Sequence, residues 1–150
     1  MDITICIRVW IVGPMNASTT TYGLLSWNVR GLGDDDKCKI VRDTLSARNI
    51  TIACIQETKL RSVSSPAKAR NFLPPNLSNF HCVDAAGARG GILTAWDDRA
   101  LTMTSFITRR NSLTLFFISK ASDATFAVTN VYAPGDHPDA QHFLEDCQPC

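Results

Sequence analysis

Residues 50–56, Ile-Thr-Ile-Ala-Cys-Ile-Gln, constrain the fold more than any other stretch. They are rich in β-branched side chains and almost without polar ones. A strand of that kind is stable only when both of its faces are covered. Upstream lies a second apolar segment, residues 23–29. Between the two, Cys38, Val41 and Leu45 recur at helical spacing behind Asp34, Asp35 and Asp36, which are N-cap candidates. The pattern predicts a helix over roughly 36–48 and, if the flanking strands pair in parallel, a right-handed βαβ unit.

Beyond residue 60 the signal changes. Pro66, Pro74 and Pro75 leave room for at most a short helix over 66–73. From about residue 80, FHCVDA, GGILTAW, LTMTSFITR, LTLFFISK and TFAVTNVYA follow one another as strand-like runs. DHPDAQHFLEDC then carries a helix signature, with Asp136 or His137 at the cap and Pro138 in the first turn. This order implies an α/β or α+β domain of stacked sheets with outer helices. Residues 1–21 match nothing that follows and are left as an unassigned lead-in, so that the domain spans 22–150.

Composition narrows the function. Fifteen Lys plus Arg against 14 Asp plus Glu exclude a strongly basic nucleic-acid coat, so phosphate affinity must come from local charge or a bound metal. No apolar run approaches the roughly 20 residues of a membrane span. Asp2 and Arg8 spoil the resemblance of the first residues to a signal peptide, so secretion is not expected. Of the six cysteines, Cys38 and Cys54 fall in apolar periodic segments, which favours free thiols over a disulfide framework. The terminal Cys147-x-x-Cys150 with His137 and His142 makes a zinc site conceivable, but no second cysteine pair accompanies it.

In a parallel pair, strands 23–29 and 50–56 end at the same sheet edge, where open α/β sheets bind ligands. Asn28 closes the first strand and Glu57 follows the second. One carboxamide oxygen and one carboxylate suit Mg²⁺ and suit zinc poorly. The alternative is that Asn28 caps the glycine turn of Arg30-Gly31-Leu32-Gly33 while Glu57 is a solvated acid. Further on, Asn130 and Tyr132 are two apart on a strand and face one side, with Pro134 ending it. A tyrosine hydroxyl there could donate to a phosphate oxygen, or the residue could be an ordinary strand tyrosine at a turn.

Taken in order, SWNVRGLG, CIQETKL, GGILTAW and TNVYAP resemble the endonuclease/exonuclease/phosphatase superfamily, which includes deoxyribonuclease I and exonuclease III-type apurinic endonucleases. Their wording is most like the endonuclease domain of plant LINE-type (non-LTR) retrotransposon proteins. The resemblance covers roughly residues 23–146. It implies a four-layer α/β/β/α sandwich of the deoxyribonuclease I-like type and hydrolysis of phosphoester bonds with Mg²⁺ or Mn²⁺. On the matching motifs, Asn28 and Glu57 are the first-strand asparagine and the metal-ligand glutamate, and Tyr132 is the active-site tyrosine at the scissile phosphate. Asn130, Lys59 and Arg61 are further candidates for phosphate contact, and Lys37, Lys39 and Arg42 are solvated helix charges. DNA is the implied partner, in an intracellular setting.

The family's Asp-x-Asn loop and its histidine loop would follow Tyr132, and neither is present; Gly135 stands where an asparagine often follows the YAP proline. Water attack on a phosphodiester needs an oriented base as well as a metal. The expectation is therefore an incomplete, inactive sandwich with a strand-poor second sheet, joined in a parent protein to a C-terminal continuation or a reverse-transcriptase domain. Two other outcomes are a non-catalytic remnant that binds nucleic acid weakly and a phosphatase of small phosphorylated substrates.

Overall fold

A computed structural model describes residues 7–12, 21–61, 66–86 and 90–132. The elements are β1 (Ile7–Val12), β2 (Leu24–Asn28), α1 (Asp35–Ser46), β3 (Ile52–Gln56), α2 (Pro66–Ala69), β4 (Asn79–Val83), β5 (Ile92–Trp96), β6 (Leu101–Arg109), β7 (Ser112–Ser119) and β8 (Thr125–Val131). They form two four-stranded sheets, one ordered β2-β3-β5-β4 and the other β1-β8-β7-β6.

β2 and β3 pair in parallel, with Asn28 opposite Gln56, as the βαβ pattern predicted. The crossover helix starts at Asp34, whose side chain accepts from the Asp36 amide at 2.9 Å. Cys38, Val41 and Leu45 are its buried residues, packed with Ala53, Ile55, Leu93 and Ala95. Full burial of Val41 and Leu45 is worth about 1.5–3 kcal/mol each. Every residue of β3 is buried because its two faces have different partners. Ala53 and Ile55 meet the helical side, while Ile52 and Cys54 join Trp96, Leu115, Phe117 and Val128 between the sheets.

Between the sheets, the Trp96 and Phe117 rings meet edge-on, with centroids 5.6 Å apart. Phe117 also lies 5.6 Å from Phe126, which in turn stacks on Tyr22. The Tyr22 hydroxyl and Ser119 Oγ are hydrogen-bonded. Tyr22 precedes β2 and Phe126 sits early in β8, so β8 runs along the first sheet toward the ends of β2 and β3.

One expectation changes. Among the described residues the second sheet has as many strands as the first, because Ile7–Val12 of the lead-in pair antiparallel with β8. A short apolar segment isolated by a polar stretch gives no period to read, and long-range pairing alone makes it a strand. Open apolar surface does occur, at β6: Phe106 and Ile107 are 49% and 46% exposed, and a register shift lies between Met103 and Ser105. The helix predicted within residues 136–146, Gly135 and the terminal cysteine pair with its histidines lie outside the described residues. Among the described residues Cys38, Cys54 and Cys82 are free, and burial pushes the Cys54 thiol up to about 12. No described helix is long and apolar enough to cross a membrane.

Candidate active site

Three loops meet at the carboxyl edge of β2 and β3. The backbone joins them: Gly31 N donates to Glu57 O at 2.6 Å, Leu32 N to Thr58 O at 2.9 Å, Thr58 N to Gly91 O at 3.1 Å and Lys59 N to Gly90 O at 3.0 Å. The segment that carries Glu57 is thus held on both sides. Arg30, Glu57 and Lys59 all occupy left-handed backbone, with φ of 54°, 53° and 54°. Such conformations persist in non-glycine residues only where the surroundings over-determine them. Gly91, at φ +89°, could not carry a Cβ without striking the Thr58 hydroxyl.

Within this frame Asn28 and Glu57 touch. Asn28 Nδ2 donates to Glu57 Oε1 at 3.2 Å, and Asn28 Oδ1 accepts from the Arg30 amide at 3.1 Å. The amide orientation follows, since its oxygen is committed to the turn and its NH₂ is turned to the carboxylate. Asn28 therefore does cap the glycine turn, as one alternative read from the sequence has it, and it contacts Glu57 as well; its oxygen is bonded to the Arg30 amide and is not presented beside the carboxylate as the metal ligand that the other alternative expects. Among the described residues no Lys or Arg forms an ion pair with Glu57. Its second carboxylate oxygen has no hydrogen bond there.

The donor set is one half-buried carboxylate oriented by a neutral amide. Oxygen-only, uncompensated and at a wet edge, it fits a hard divalent cation that keeps most of its waters. Among the described residues no group of three or more His, Cys, Asp or Glu gathers.

The other predicted residues divide. Tyr132 lies just beyond β8, half-buried against the inter-sheet cluster, its amide donating to Asn111 O at 2.9 Å. Lys59 is exposed, and its aliphatic stem lies along Gly31, where an added Cβ would stand 3.3 Å from Lys59 Cδ. Arg61 is exposed on the same loop. Lys37 donates to Arg30 O at 3.3 Å, Lys39 pairs with Asp43 at 2.7 Å and Arg42 reaches Arg70 O at 3.4 Å. The helix cations are thus held by neighbours at the surface.

Asn130 is the correction. It is 1% exposed, its Nδ2 donating to Leu93 O at 2.9 Å, Thr94 Oγ1 at 3.2 Å and Ile55 O at 3.4 Å, so a phosphate cannot reach it. It does share the inner face with Tyr132, but that face points into the other sheet. Asn130 Oδ1 accepts from Gln56 Nε2 at 2.7 Å, and Gln56 is a residue the sequence reading passed over. The signal was there: Gln56 is the one strongly polar side chain in a strand otherwise apolar on both faces.

No family model and no curated protein matches the chain. Among solved structures the chain is similar to the AP endonuclease LMAP from Leishmania major, at 18% identity and a TM-score of 0.55. The match covers 83% of this chain and 46% of that one, so the chain spans about half its neighbour's length. The fold is shared: mixed α/β with two sheets, of the deoxyribonuclease I-like type.

Proposed function

We propose that the chain is the N-terminal portion of an endonuclease/exonuclease/phosphatase domain, of the kind found in LINE-type retrotransposon proteins, acting on DNA phosphodiesters with Mg²⁺ or Mn²⁺. In this reading a helical layer on the outer face of the second sheet completes the four-layer sandwich. The observation that carries the proposal is the 3.2 Å contact between Asn28 Nδ2 and Glu57 Oε1 at the shared carboxyl edge.

Each residue has a distinct part. Glu57 is the metal ligand. Asn28 holds that carboxylate in place through a neutral donor, which fixes its direction without cancelling its charge. Bound there, a divalent cation supplies charge neutralisation at the scissile phosphate. Tyr132, at the end of β8, donates its hydroxyl to a phosphate oxygen. Lys59 and Arg61, on the loop that follows Glu57, meet the DNA backbone, and a near-neutral chain then binds DNA weakly and in a salt-dependent way. In this reading the chain binds metal without hydrolysing DNA, because water attack also needs an oriented base and the motif residues it carries supply only the metal half of that apparatus.

The experiment is a Mn²⁺ titration of the purified chain followed by electron paramagnetic resonance, with Glu57→Gln as the control. The expected result is weak single-site binding that Glu57→Gln abolishes while the thermal midpoint stays put. Equal binding by both proteins would defeat the assignment. Mg²⁺-dependent nicking of supercoiled plasmid by the wild-type chain, lost in Glu57→Gln, would uphold the metal site and overturn the inactivity.

A further inference from the structure

The proposed site draws on both sheets. Glu57 belongs to the first and Tyr132 to the second, and the backbone ties that hold the Glu57 loop all come from the first sheet. Tyr132 packs against the apolar cluster between the sheets, and a polar tie crosses between the sheets as well. The residue before Glu57 and the residue two before Tyr132 are bonded directly: Gln56 Nε2 donates to Asn130 Oδ1 at 2.7 Å. Both side chains are buried, at 3% and 1% exposure.

The bond is anchored at each end. Gln56 Nε2 also donates to Ser26 Oγ at 2.9 Å and Cys54 O at 3.3 Å, both in the first sheet. Asn130, from the second sheet, donates back to Leu93 O, Ile55 O and Thr94 Oγ1 of the first. Asn130 therefore grips two adjacent strands of the opposing sheet, and Gln56 closes the circuit. The amide orientations are settled by this network, because Asn130 faces two carbonyls that only an NH₂ can satisfy.

The pair sits by an inter-sheet cluster that includes Ile52, Cys54, Leu115 and Val128, and it donates there to Ser26 Oγ, Thr94 Oγ1 and three strand carbonyls, yet not all of its own polar atoms are matched. Gln56 Oε1 is buried without a hydrogen-bond partner among the described residues, an unfavourable state for an acceptor. A network that is costly on one amide atom and directional on the other three sets orientation better than it adds stability.

We propose that Gln56 and Asn130 are positioning residues: their hydrogen bond is a latch between the sheets that sets where Tyr132 stands relative to Glu57. This inference rests on the metal-site reading above. It predicts that replacing both side chains with aliphatic ones leaves the fold and the Glu57 ligand intact while Tyr132 shifts.

The test uses the full chain with Mn²⁺ as probe. Broadening of the Tyr132 ring resonances reports its distance from an ion at Glu57, and the Asn28 amide serves as a reference on the first sheet. In the Gln56→Leu/Asn130→Leu double variant, Mn²⁺ affinity and Asn28 broadening are expected to match wild type. Tyr132 broadening should change measurably, by about 1.4-fold for a shift of about 0.5 Å at a separation of about 8 Å and by more at shorter range, because it follows the inverse sixth power of distance. Unchanged Tyr132 broadening overturns the latch, whatever happens to the thermal midpoint. Should the double variant not fold, Gln56→Met, close in volume, replaces it. If Glu57→Gln shows that Mn²⁺ binds elsewhere, the metal reading fails by itself, and relaxation dispersion at the Tyr132 amide decides the latch without an ion. Microsecond-to-millisecond exchange appearing only in the variant supports it, and identical profiles overturn it.

Discussion

The first sheet ends in a carboxylate at each edge, and it treats the two differently. At the edge where β3 begins, Asp97 is clasped by Arg99, whose Nε and Nη2 donate to its two oxygens at 2.9 and 2.7 Å. At the edge where β3 ends, Glu57 meets an amide NH₂ at 3.2 Å. A cation neutralises a carboxylate and spends it on the fold. A neutral donor aims the carboxylate and leaves the charge to be used. The Asp97 turn also carries the chain from one sheet to the other, with Ala100 N and Leu101 N donating to Asp97 O at 3.2 and 3.1 Å. One edge is a joint, and the other has the makings of a site.

The largest effect is expected from the backbone that separates these edges in kind. Gly91→Ala forces a side chain into left-handed backbone and onto the Thr58 hydroxyl, and the loop bonded to Gly91 O and Gly90 O must give way. The expected loss is about 1–3 kcal/mol of stability, together with the Mn²⁺ binding assigned to Glu57. Chemical denaturation and the Mn²⁺ titration read the two separately. Stability falling while Mn²⁺ binding persists would show that the loop does not hold the carboxylate.

Next in size is the amide itself. Asn28→Ala removes the donor to Glu57 and the cap of the Arg30 turn. Loss of an outer partner of a metal ligand lowers affinity roughly 10–100-fold. Asp97→Asn, at the other edge, should leave Mn²⁺ affinity untouched. The same affinity in Asn28→Ala as in wild type would erase the distinction between the two edges.

How much of this could be read in the sequence follows the range of the interactions. Helix α1 was legible because its cap at Asp34 and its stripe of Cys38, Val41 and Leu45 are local signals. β3 was legible because a strand without polar faces has few other places to go. The nearness of Asn28 and Glu57 was legible through topology, since parallel strands on either side of a helix end together. Three things were not. β1 is made a strand by its pairing with β8, 113 or more positions away in the register from Val12–Thr125 onward. The left-handed turns at Arg30, Glu57 and Lys59 depend on loops that meet only in three dimensions. Asn130 was placed on the right face of its strand, but alternation does not say whether that face looks at solvent or at another sheet.

The smallest effect tests the joint. The Arg99 guanidinium holds the Asp97 carboxyl below the usual carboxylate range, through its side-chain hydrogen bonds first, against a smaller opposing effect of burial, with the Arg99 amide and the more distant Lys120 adding to it. A carboxyl with a lowered folded value stabilises the fold above its unfolded value, about 3.9, and loses that contribution as pH falls through the folded one. Arg99 is 75% exposed on its side chain, so solvent screens the pair and the effect is modest. Arg99→Ala should therefore lower the thermal midpoint slightly at neutral pH, and the gap from wild type should close as the pH is taken below that carboxylate value. Raised salt should narrow the gap as well. A gap that stays constant through acid would mean that Arg99 contributes packing of its stem instead of charge. The two carboxylates of the first sheet would then no longer differ by what neutralises them, and the contrast between the edges would rest on Asn28 alone.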